Sequence, residues 1–153
     1  MKKQSGFTLI ELLVVIAIIG ILATIVLASL NSARVKANDT AVKSDLDNAR
    51  ASAELFYDNP AGGNQTYTGV CTGSANNAIG SMVTAAAAAG GVSLVAGNGV
   101  AQDATHAACH DSAGAWAAQA GLKSAPATSW CVDSTGKSLS EGAYMLAGAT
   151  ACL

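Results

Sequence analysis

Residues 7–30 read FTLIELLVVIAIIGILATIVLASL, and the rest of the chain is arranged around this stretch. At about 1.5 Å of rise per residue it forms a helix about 36 Å long, enough to cross a hydrocarbon core of about 30 Å. Apolar side chains occur all the way round its wheel, so no face is left for water. Its one charged residue is Glu11, near the start. A carboxylate in hydrocarbon costs about 2.5 to 3.5 kcal/mol at a helix centre and less near an end, so a glutamate there points to a function and a partner.

Three readings compete for this segment. A secretory signal peptide has a basic start, an apolar region and a small-residue cleavage site, and Val26-Leu27-Ala28 has that form. Glu11 inside the apolar run argues against it. A plain membrane anchor fits the length but has no need of Glu11, nor of Gly6 before the run. The third reading is a helix that lives in two media, the membrane while stored and a protein bundle when assembled. In the bundle Glu11 meets a neighbour's cation and loses its desolvation penalty. A cut after Gly6 makes the new amino group of Phe7 that cation, at the same depth.

Lys2-Lys3-Gln4-Ser5-Gly6 followed by Phe7-Thr8-Leu9-Ile10-Glu11 resembles the processing site of type IV prepilins and of the pseudopilins of secretion and competence machines. The resemblance implies that a membrane prepilin peptidase cuts between Gly6 and Phe7 and methylates the exposed Phe7 amine. It implies assembly roles for Phe7, Thr8 and Glu11, with Glu11 guiding subunit docking. The partners it implies are identical subunits in a helical homopolymer, the peptidase, an inner-membrane assembly platform with its ATPase, and the membrane itself. It places the precursor in the inner or cytoplasmic membrane and the product in an extracellular pilus or a periplasmic pseudopilus. Gly20 matches a common small residue of such helices, whereas Ala28 stands where many members carry proline.

Composition agrees with export of the remainder. Removing Lys2 and Lys3 takes the formal net charge from −2 to −4, which gives no electrostatic drive toward nucleic acid. The basic leader favours the cytoplasmic side, with Arg34 and Lys36 pulling weakly the other way. Aromatic residues are 5% and charged residues 12% of the chain, so the exported domain is built from small side chains. Its four cysteines, Cys71, Cys109, Cys131 and Cys152, read as two disulfides with three possible connectivities. Sequence order favours Cys71 with Cys109 and Cys131 with Cys152. By resemblance to many pilins, the second bridge would pin the C-terminus.

The organisation follows as a leader at 1–6, a membrane or filament-core helix at 7–30, an amphipathic continuation at 31–58 and a disulfide-containing domain at 59–153. Over 31–58 there is no proline or glycine, and Val35, Val42, Leu46, Ala49, Ala53 and Phe56 fall on one face. Charged residues lie opposite, with Asp39 and Lys43 spaced as a supportive i,i+4 pair. Two helices broken near Asn31-Ser32 are the alternative. Asn59-Pro60 with Gly62-Gly63 ends the run.

Residues 62–80 read as a loop, and Ile79 to Ala89 as a short helix stopped by Gly90-Gly91. The alanine-rich run to Ala108 has no period. Strands are expected at Ala115 to Ala120, Ser129 to Asp133 and Ala143 to Ala147, with a turn at Ser134-Thr135-Gly136-Lys137. The expected fold is α+β, a long N-terminal helix packed on a small antiparallel sheet that buries Phe56, Trp116 and Val132.

Other motifs are weak. His106, Cys109 and His110 have spacing for zinc on one helical turn, but a cysteine of even count in an exported domain is read as bridged. Asp111 and Asp133 are calcium candidates by analogy with secretion pseudopilins, without the six to eight clustered oxygens such a site needs. Gly136-Lys137-Ser138 lacks the upstream glycine of a phosphate loop, since position 131 is Cys131. No nucleophile, base and acid set stands out. The expectation is a structural protein, not an enzyme, with no metal or cofactor.

Overall fold

A computed structural model describes residues 7–72 and 78–153. The leader, with Gly6 of the expected cleavage site, lies outside the described residues, as do 73–77 of the connecting loop. The chain divides into two compact units, Met1–Val35 and Lys36–Leu153. One helix, α1 (Leu9–Asp58), contributes to both and is not broken at Asn31-Ser32. Then follow α2 (Gly80–Gly90), β1 (Ser93–Ala96), β2 (His106–Asp111), β3 (Trp116–Leu122), β4 (Ala125–Asp133) and β5 (Ser138–Glu141).

In the first unit every described side chain from Phe7 through Arg34 is exposed. The second unit holds the core. Its part of α1 buries Val42, Leu46, Ala49, Ala53 and Phe56, four of them with no accessible surface, so the stripe spaced by three and four is the core face. The stripe has a member that is not apolar. Asp39, on the buried row between Val35 and Val42, is only 8% exposed. Its carboxylate accepts the backbone N–H of Lys123 at 2.6 Å and of Ser124 at 3.2 Å, both in the β3–β4 turn. The expected Asp39–Lys43 pair does not form, because that carboxylate is committed to the turn. Lys43 instead places Nζ over the Trp130 ring, 4.7 Å from its centroid.

α1 ends where Asn59-Pro60 predicts. Its last carbonyls are taken up by the following loop, Gly63 N–H to Phe56 O at 2.8 Å and Gln65 N–H to Tyr57 O at 2.8 Å. A Cβ at Gly63 would sit 2.1 Å from Thr66 O and 2.8 Å from Phe56 O, so only glycine fits this fold-back. α2 is the expected alanine helix, closed by left-handed Gly91 at φ 82°, whose N–H reaches Ala87 O and Ala88 O.

The sheet runs in the order β1-β2-β3-β4-β5. β2 to β5 are antiparallel neighbours, and β1 joins parallel to β2, so the α+β fold carries a mixed sheet. Side chains alternate between two faces. Ala107, Cys109, Trp116, Ala118, Ala120 and Val132 join α1 and α2 in the main core. On the other face Ala108 and Ala117 pack under Met145 and Ala149 of the C-terminal segment, and His110, Gln119, Ser129 and Asp133 are buried beside them.

That C-terminal segment replaces the strand expected at Ala143 to Ala147. The Gln119 side chain explains why. Its Nε2 donates to Ala143 O at 3.0 Å and its Oε1 accepts Met145 N–H at 2.6 Å, so a side chain satisfies the backbone a ladder would have used. The late strand is β5 instead, after the Ser134–Lys137 turn.

The chain end is tied down at several points. Cys131 is bonded to Cys152, and Cys71 to Cys109. Asp133 accepts Cys152 N–H at 2.9 Å, Lys137 Nζ donates to Cys152 O at 2.7 Å, and Glu141 accepts Leu153 N–H at 2.5 Å. Burial by itself raises the Asp133 carboxyl, but the Thr135 hydroxyl and the backbone N–H groups of Cys152, Lys137 and Thr135 outweigh it and hold it below the usual range. At Glu141 burial prevails over the Leu153 N–H and the Lys137 charge, and the carboxyl is raised.

The two carboxyls therefore act with opposite sign. Asp133 contributes stability above its usual range that is lost as the pH falls through its depressed value. Glu141 contributes stability while protonated that is lost as the pH rises through its elevated one. Asp133→Asn turns an amide donor toward groups that are themselves donors and is expected to cost about 1.5 to 3 kcal/mol at pH 7. Denaturant unfolding should show the gap to the parent closing as the pH falls below the carboxylate range. A gap independent of pH would refute the assignment.

Candidate functional site at the start of the long helix

Phe7 and Thr8 precede the first turn of α1, and Thr8 caps it. The backbone N–H of Thr8 donates to Glu11 Oε2 at 2.8 Å, the Thr8 hydroxyl donates to the same oxygen at 2.6 Å, and Glu11 N–H returns to Thr8 Oγ1 at 3.3 Å. This reciprocal pattern is a capping box, which satisfies helix-end donors that hydrocarbon would leave bare. It gives Thr8 a role inside its own chain. The signal was readable in Thr8-x-x-Glu11, a threonine followed three residues later by an acid before an apolar run.

Beyond the cap the surface is uninterrupted hydrocarbon. Leu9, Ile10, Leu13, Ile16, Ile19 and Ile21 are each at least 60% exposed. The hydroxyl of Thr24 donates back to Ile21 O at 2.7 Å and so needs no solvent. By length and composition α1 is apolar enough to cross a membrane. At Gly20 an added Cβ would meet nothing within 4 Å, so among the described residues nothing fills the groove this glycine leaves. A surface of this extent is stable only against lipid or protein.

The other expected site residues are dispersed. His106 Nδ1 lies 3.0 Å from Asp103 Oδ1 at the sheet margin, Cys109 is in the core within its disulfide, and His110 faces the opposite side, between Val100 O and Ala149 O. The HxxCH residues lie on strand β2 rather than a helix, so Cys109 points to the face opposite that of His106 and His110. Asp111 accepts Gly69 N–H at 2.7 Å and Asp133 is held as described, so their oxygens serve backbone donors in two separate places. Gly136-Lys137 lies in the β4–β5 turn.

Residues 1–27 match the family model described as the prokaryotic N-terminal methylation motif. The type IV wide pilus major component of Thermus thermophilus is 50% identical over 56 residues, 37% of this chain and 43% of that protein. The type II secretion system core protein G of Pseudomonas aeruginosa is 40% identical over 55 residues, 36% of this chain and 39% of its own length. A probable minor fimbrial protein of Dichelobacter nodosus is 44% identical over 54 residues, 35% of this chain and 34% of its length. Each match thus spans less than half of the relative. No solved structure matches the chain. The methylation motif, the capped apolar helix and these relatives agree: the amino-terminal segment of this chain is similar to that of type IV pilins and pseudopilins.

Proposed function

We propose that the chain is a prepilin, cut between Gly6 and Phe7 and methylated on the new Phe7 amine, whose product polymerises into a type IV pilus serving adhesion, motility or DNA uptake. The observation that carries the reading is an apolar helix surface uncovered from Phe7 to Leu30, with Glu11 its one charged residue. While the subunit is stored in the membrane, Thr8 holds that carboxylate. In the filament, identical helices cover the apolar surface and the carboxylate meets a neighbour's Phe7 amine. One surface repeated head to tail, without closing into a ring, generates an open helix of subunits. The partners on this reading are further copies, prepilin peptidase, and an inner-membrane platform with its ATPase.

Mass spectrometry of the mature N-terminus tests it. The expected product begins at methylated Phe7, and a chain that keeps Met1 and an unmodified Phe7 would refute it.

The likeness to core protein G supports a second reading, a pseudopilin of a type II secretion or competence system that remains periplasmic. Sheared surface fibres seen by electron microscopy and containing this chain support the pilus. A processed chain found only in periplasm-facing material supports the pseudopilus.

A further inference from the structure

Among the described residues, two that are not glycine have positive φ, Asn64 at 49° and Gln65 at 65°. Left-handed backbone is tolerated by asparagine but uncommon for glutamine, and such outliers gather where a conformation is used. The two are consecutive and exposed. They begin the triplet Asn64-Gln65-Thr66, an asparagine two residues before a threonine with no proline between, which is the acceptor pattern for N-linked sugars in exported proteins.

The loop holds this triplet outward from a fixed base. Asn64 N–H donates to Asn59 O at 3.0 Å, Gln65 N–H to Tyr57 O at 2.8 Å and Thr66 N–H to Gly63 O at 3.2 Å. A transferase must bend its acceptor so that the asparagine amide and the threonine hydroxyl come together. Here the backbone has already left helix and strand, so the bend need only release the Thr66 hydroxyl from its exposed local bonds to the Thr68 N–H at 3.1 Å and the Thr68 hydroxyl at 3.0 Å.

The chain contains its own control. Asn38-Asp39-Thr40 is the same triplet, but it lies inside α1. Its middle residue is buried with its carboxylate on the β3–β4 turn, and the Thr40 hydroxyl donates to Lys36 O at 2.9 Å. That triplet cannot bend without unfolding the helix.

We infer that Asn64 is the acceptor of an N-linked oligosaccharide, added on the exported side of the membrane from a polyisoprenyl-pyrophosphate-linked donor. In the transfer the Asn64 amide nitrogen forms a bond to the anomeric carbon of the sugar, and the bond from that carbon to the pyrophosphate oxygen breaks. The polyisoprenyl pyrophosphate leaves, and the amide proton passes to a base of the transferase. No redox partner is needed. This inference rests on the exported reading above.

Chymotryptic digestion releases Asp58–Tyr67, which contains Asn64, and mass spectrometry of the full chain from producing cells reads its state. The expected result is a sugar mass on this peptide that is lost in Asn64→Gln and Thr66→Ala, kept in Thr66→Ser, and unaffected by Asn38→Gln. A bare peptide from chains whose cysteines are bridged would overturn the glycan alone. Free thiols with a bare peptide would overturn export and the glycan with it, and sugar surviving in Asn64→Gln would overturn the assignment to this residue.

Discussion

Glu11→Ala should be processed at the Gly6–Phe7 bond as the parent is, yet fail to assemble. The substitution leaves the scissile bond and the apolar run intact, so the peptidase's substrate is preserved. In the proposed filament it would strand a neighbour's Phe7 ammonium among hydrocarbon side chains. Removing one partner of a buried ion pair costs about 3 to 5 kcal/mol, because the remaining charge is left uncompensated. A loss of that size lowers an association constant by more than about a hundredfold. The variant also loses the bonds from Thr8 to Glu11 Oε2, so Thr8→Val separates the two roles. It removes the hydroxyl from the cap but keeps the carboxylate, and should assemble more nearly as the parent does. Counting fibres by electron microscopy, beside mass spectrometry of the N-terminus, reads both steps. Normal fibres from Glu11→Ala would end the idea that this carboxylate sets docking.

Asp39→Ala should be the costliest single change in the second unit that removes no apolar group. It deletes the acceptor for two backbone donors, those of Lys123 and Ser124, at a position 8% exposed. Hydrogen bonds to a charged group contribute about 1.5 to 3 kcal/mol each. An expected loss of about 2 to 4 kcal/mol is a large part of the 5 to 15 kcal/mol that a typical domain has. Asp39→Leu sharpens the test, since leucine suits the spacing of this helix face. If the row needed only apolar bulk, leucine would restore stability. The expectation is that it does not, and chemical denaturation of the two variants beside Asp39→Asn decides it.

Asp39 also marks where sequence reading reached its limit. The period of three and four identified Val42, Leu46, Ala49, Ala53 and Phe56 as the core side because burial there is a matter of side-chain type. An acid on the same row reads as solvated, and only the tertiary approach of the β3–β4 turn, more than eighty residues away, supplies its donors. The helices were legible because their signals are local. Asn59-Pro60 stopped α1 at Asp58, and Gly90-Gly91 closed α2.

The strands were harder to see. β3 is built largely of alanine, glutamine and glycine, so only its tryptophan and its neighbour β4 gave it away. β1 and β5, Ser-Leu-Val-Ala and Ser-Leu-Ser-Glu, are too short for a period to develop. The C-terminal segment reads as a strand but is irregular, with a turn at Ala147-Gly148, and it bonds to a glutamine side chain, a partner that no periodicity announces. At the helix start, Phe7 and Glu11 were conspicuous as an apolar residue after glycine and an acid in hydrocarbon. Thr8 was expected only in an assembly role, by resemblance, whereas the structure gives it a cap within its own turn.

The brevity of β1 and β5 has a consequence for the proposed assembly. They are the two outer strands, four residues each, and an outer strand offers unpaired backbone to any other chain. So little edge leaves almost no template for fibril-type recruitment, however crowded the subunits become. On the proposed assembly, a subunit that polymerises through its rod must not also polymerise through its sheet, and here the second route is cut short.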